Sequence, residues 1–95
     1  MPAVTTNLDL AELRLRIDAV DQQILKLVHE RIGLVVSVGE YKRQRGLPVY
    51  DPARERDLLE RLSQAAEPPL DAETIRRIFE RLIDESRRIE QHHMG

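Results

Sequence analysis

Apolar residues recur along the first part of the chain at Leu10, Leu13, Ile17, Val20, Ile24, Leu27, Leu34, Val38 and Tyr41. The spacing is close to a heptad and predicts one amphipathic helix from about Asp9 to Arg45. Asp9, with Glu12 three residues on, has the form of a capping box, and Asn7 is a competing N-cap. Gly33 and Gly39 lower the helix propensity slightly without breaking the period. Gly46 then suits a helix C-cap, and Pro48 and Pro52 mark a loop. Asp51 followed by Pro52 reads as an N-cap with proline at the first helical position. It opens a second helix carrying Leu58, Leu59 and Leu62. The double proline of "AAEPPLD" (65–71) ends that helix. Asp71 caps a third, whose stripe is Ile75, Ile78, Phe79, Leu82, Ile83, Ser86 and Ile89. The prediction is an all-α protein of three helices with a very long first helix. It forms one domain over residues 1–95, with 1–7 and 92–95 expected as disordered tails.

The first helix is too long for a compact protein of 95 residues. A helix of that length spans about 50 Å at 1.5 Å per residue. A compact domain of this size has a radius of gyration of only about 12 Å. Two shorter helices cannot cover its stripe from end to end. A self-associated, dimeric helical assembly answers the mismatch; a long helix frayed at one end is the alternative.

Two cations interrupt the apolar stripe. At about 100° per residue, Leu13, Val20, Ile24, Val38 and Lys42 all lie within about 20° of Arg31. Arg14 lies on a flank, about 100° away. An unpaired buried charge is costly, and arginine does not escape by losing its proton. Something anionic must meet these groups. One answer is a salt bridge to Glu55, Asp84 or another acid, or Lys42 snorkelling at the helix end. The other is a small-anion site, favoured when several cations converge with polar residues from other helices. The third helix offers such residues: Ser86 lies seven after Phe79, and Glu90 seven after Ile83. The second helix brings Arg54 and Glu55 in its first turns. Arg56, Glu60 and Arg61 read as a solvated charged face.

Composition narrows the field. Hydrophobic residues make up 41% and charged residues 34%, an ordinary globular balance. The net charge of −2 lacks the basic footprint of a nucleic-acid binder. Without cysteine, disulfides and cysteine-ligated zinc are excluded, and a cytoplasmic location is the default. The N-terminus has no signal-peptide pattern, and "IGLVV" is too short to span a membrane. His92 and His93 are adjacent rather than spaced for one helix face, so they read as tail rather than metal ligands.

The segments "LRLRIDAVDQQILKLVHERIGLVVSVGEYK", "VYDPARERDLLERL" and "IRRIFERLIDESRRIEQ" together resemble the all-helical AroQ-class chorismate mutases. The likeness is to the bacterial type, including mutase domains fused to prephenate dehydratase or to an aldol-type synthase of the shikimate pathway. It covers about residues 8–91. L-R-x-x-I-D-x-x-D, then E-R, G-x-x-K and D-x-x-R-E form a specific combination; any one part alone is weak.

The resemblance implies an intertwined homodimer of three-helix protomers and the rearrangement of chorismate to prephenate. That pericyclic step needs no nucleophile, metal or cofactor. Arg31, with Arg14 contributed to the partner's site, is implied to bind the substrate's two carboxylates, a task suited to bidentate guanidinium pairing. Lys42 is implied to hydrogen-bond the ether oxygen. Glu55 and the Asp51 backbone would hold the ring hydroxyl, and Arg54 would add positive field. Ser86 would contact a carboxylate, and Val38 and Ile83 would pack on the carbon framework. Glu90 stands where some members have glutamine. An ionised carboxylate cannot donate a hydrogen bond, so Glu90 is expected to act protonated, its pKa raised by burial against the pull of nearby cations. A related isochorismate pyruvate-lyase, or a non-catalytic regulatory or dimerisation module working with a shikimate-pathway synthase, are the competing readings. Association with another enzyme of that pathway is left open.

Overall fold

The structure, a computed structural model, describes residues 9–94. It holds three helices: α1 (Leu10–Gln44), α2 (Pro52–Gln64) and α3 (Ala72–Met94). Among the described residues there is no strand. No helix among them is long and apolar enough to cross a membrane. The chain divides after Arg31 into two units.

The first unit contains the opening turns of α1. The Asp9 carboxylate accepts from the Glu12 backbone N–H at 2.8 Å, and the Asp9 carbonyl accepts from Leu13 N–H at 3.1 Å. Asp9 therefore caps the helix by satisfying donors that have no intrahelical partner. The competing cap, Asn7, lies outside the described residues. Leu10, Ile17, Val20, Ile24 and Leu27 are each more than half exposed.

The second unit holds the rest of α1 with α2 and α3, and α2 packs against α3. Gly46 adopts φ +67°, the left-handed conformation that ends α1. Around it, Leu47 N–H donates to the Lys42 carbonyl at 2.8 Å and Gly46 N–H to the Arg43 carbonyl at 3.2 Å, the paired bonds of a Schellman motif. Asp51 caps α2 through Arg54 N–H at 3.1 Å, with Pro52 in the first turn. Asp71 caps α3 through Thr74 N–H at 2.7 Å.

Among the described residues one large apolar side chain, Ile83, is buried; the other buried side chains are Ser63, Ser86 and Glu90. Leu34, Val38, Tyr41 and Tyr50 are half or more exposed. Residues 92–94, expected as part of a disordered tail, instead continue α3. His93 Nε2 sits 3.2 Å from Glu40 Oε1 on α1, which gives the last turn a partner.

Candidate active site

The polar end of α3 faces inward. Ser86 is 3% exposed and Glu90 is 8% exposed, so the seven-residue spacing from Phe79 and Ile83 does carry these groups into the interior. The Ser86 hydroxyl donates to the Leu82 carbonyl one turn back, at 2.7 Å. The Glu90 carboxyl lies against the backbone of α1 at Gly39. Burial raises its pKa above the ordinary carboxylate value. The charges of Lys42 and Arg87 pull the other way, and Glu55 adds a smaller upward push.

Lys42 is half-buried in the last turn of α1, three residues beyond Gly39 and on the same helical side. Two of the acids offered to it by the spacing, Glu55 and Asp84, pair with Arg87. Glu55 Oε1 accepts from Arg87 Nη2 at 2.5 Å, and Asp84 Oδ1 lies 3.6 Å from Arg87 Nη1. The guanidinium also stands over the Tyr50 ring at 5.0 Å. Glu55 raises the Arg87 pKa further by accepting that hydrogen bond.

Arg87 thus ties α3, the first turn of α2 and the loop before it into one piece, a role that helical spacing does not signal. It lies about 100° round α3 from Ser86, off the stripe that the helical period picks out. Only the packing of α2 on α3 brings Glu55 opposite. Charge-assisted hydrogen bonds are worth about 1.5–3 kcal/mol, and partial exposure of this pair places it at the low end. Arg87→Met is therefore expected to lower unfolding stability by about 1–2 kcal/mol in urea titrations, with helix content retained.

The remaining candidates fall in two groups. Ile83 is buried beside Ser86 on α3, whereas Val38 stays exposed on α1. Asp51 and Arg54 are exposed at the start of α2, with the Asp51 side chain engaged in capping. Arg14 and Arg31 belong to the first unit, Arg14 exposed and Arg31 half-buried. Arg56, Glu60 and Arg61 are exposed, as read from the sequence, and Arg61 bridges Asp57 at 3.0 Å along α2.

Within the second unit, then, a buried carboxyl lies near a lysine and an ion-paired arginine on helices that fix their backbones. Fold and cluster together define an all-helical domain with charged and hydrogen-bonding groups gathered on α1, α2 and α3. The chain belongs to the chorismate mutase type II family, which it matches over residues 13–91. It is 36% identical over 86 residues to a chorismate mutase of Methanocaldococcus jannaschii, covering 90% of this chain and 87% of that one. It is 43% identical over 84 residues to the bifunctional chorismate mutase/prephenate dehydratase of Escherichia coli, covering 87% of this chain but only 22% of the fusion. A chorismate mutase of Helicobacter pylori, solved in complex with prephenate, superposes with a TM-score of 0.81 at 28% identity, covering 90% of this chain and 92% of that one.

Proposed function

We infer that the chain is a chorismate mutase, an isomerase converting chorismate to prephenate within a homodimer. The observation that carries the reading is buried Glu90 near Lys42, on a scaffold of this family. In the reaction the ether C–O bond to the ring breaks as a C–C bond forms between the enolpyruvyl arm and the ring. No group is transferred. The site's work is to hold the arm over the ring and to stabilise charge that develops on the ether oxygen.

Lys42 Nζ and protonated Glu90 are the two donors to that oxygen. Arg31 and Ser86 receive the carboxylates, together with Arg14 from the second copy. Glu55 and the Asp51 backbone take the ring hydroxyl, Arg54 adds positive field, and Val38 and Ile83 supply apolar contact. Arg87 keeps Glu55 in place. A second copy as the partner is supported by the uncovered apolar stripe of α1, an exposure a lone chain in water does not favour. A cytoplasmic setting suits the cysteine-free composition. Fusion relatives make association with another enzyme of the same pathway a compatible arrangement.

The test is the disappearance of chorismate with the purified chain, alongside Arg31→Ala. The expected outcome is turnover by the parent and a loss of about 10- to 100-fold in kcat/KM for the variant, the value of one charge-assisted carboxylate contact. Sedimentation velocity is expected to give a dimer. No turnover at any pH refutes the reading.

A further inference from the structure

Two glycines lie inside α1, and their surroundings differ. A Cβ built on Gly33 meets nothing within 4 Å. A Cβ built on Gly39 would overlap Glu90 Oε2 and stand 3.0 Å from its Cδ and 3.1 Å from its Cγ. Gly39 is also buried, and its φ is not the positive angle that calls for glycine, so the backbone does not require it. Helix propensity disfavours glycine at an interior position. What the residue provides is space, and the group that fills the space is the carboxyl of Glu90.

We propose that Gly39 is the positioning residue for Glu90: its missing side chain forms the slot that admits the carboxyl to α1 and fixes it one turn before Lys42. The inference rests on the reading of Glu90 as a donor to the substrate. Contact at both Cδ and Cγ means that rotating the carboxylate alone does not relieve the overlap. A methyl group at position 39 turns the carboxylate oxygen aside and moves Cδ and Cγ back by a few tenths of an ångström. The charged groups around the slot are Lys42 and Glu40 from α1, Glu55 from α2, and Arg87 and His93 from α3, with His93 engaged by Glu40. A carboxyl moved out of the slot changes its distance to all of them. Residues 39 and 90 form a matched pair, in which glycine at 39 leaves the Glu90 carboxyl its present seat against α1.

The experiment compares chorismate turnover across pH in Gly39→Ala, Gly33→Ala, Glu90→Gln and the double variant Gly39→Ala/Glu90→Asp. Alanine favours the helix at both glycine positions, so thermal melts are expected to show folded protein throughout. Gly33→Ala is expected to keep the parent profile. Gly39→Ala is expected to lose the rise in rate on the acid side and to run about tenfold below the parent there, the value of one hydrogen bond converted at 1.4 kcal/mol per tenfold. Shortening residue 90 by one methylene in the double variant is expected to bring back an acid-side rise. A parent-like profile in Gly39→Ala, with Glu90→Gln flat, overturns the slot and leaves the role of Glu90 standing. A parent-like profile in Glu90→Gln itself refutes the role of Glu90, and the slot with it.

Discussion

Lys42→Ala is expected to reduce kcat for chorismate by about 10²–10³-fold, the usual cost of removing one preorganised donor from a developing oxyanion. The ammonium sits in the last turn of α1, half-buried and near the Glu90 carboxyl. In that setting a positive charge is less screened than at an open surface. Because the interaction strengthens as the ether bond breaks, the loss should fall on kcat more than on KM. Circular dichroism of the variant should match the parent, since the helix end is held by backbone bonds rather than by the lysine side chain. A variant with parent-like kcat would remove Lys42 from the chemistry.

The second large effect concerns pH. Glu90 has a folded-state pKa above the ordinary carboxylate value, with burial as the main cause. Donation to the ether oxygen requires the protonated form. Above the folded pKa the rate should therefore fall about tenfold per pH unit until the contribution of Lys42 sets a floor. Glu90→Gln donates at every pH, so its profile should be flat and should exceed the parent at neutral pH. Stability follows the same proton. Below the ordinary carboxylate pKa both folded and unfolded states carry it, and nothing is lost. As pH rises through the window up to the folded pKa, the unfolded chain ionises first and the folded state loses ground. At neutral pH the buried carboxylate is a net cost. Glu90→Gln should melt higher than the parent near neutral pH, and the difference should shrink towards acid. A difference independent of pH would contradict the raised pKa.

Local signals carried the fold. Asp51 with Pro52, Asp71 and Gly46 each act through their own backbone neighbourhood, so their positions fix the helix ends without knowledge of the partner helix. Ser86 and Glu90 were legible because helical period alone turns them to the side of Phe79 and Ile83. Arg87 was not. Its partner Glu55 is distant in sequence, and the pair exists only once α2 lies on α3. Glu55 and Asp84, two of the acids the spacing offered to Lys42, are both engaged by Arg87, while the buried acid near Lys42 is Glu90. His93 escaped for a related reason: a polar end of chain reads as tail until Glu40 of another helix lies beside it. Residue type and spacing report what one helix does, whereas pairings between helices depend on a surface that neither segment encodes alone.

The Schellman turn at Gly46 bears on how this chain can vary in length. The loop folds back so that Leu47 N–H donates to the carbonyl of Lys42, the residue proposed above to face the breaking bond. Arg45 is drawn back in the same turn, its guanidinium 3.7 Å from the centre of the Tyr41 ring. One end of the linker to α2 is therefore clamped to the backbone of Lys42, while its other end is the Asp51 cap. Extra residues between Leu47 and Tyr50 would lengthen the arc and leave both clamps in place. An insertion between Lys42 and Leu47 would break the clamp and let the end of α1 unwind. Natural or engineered length variation should accordingly be accepted on one side of Leu47 and rejected on the other.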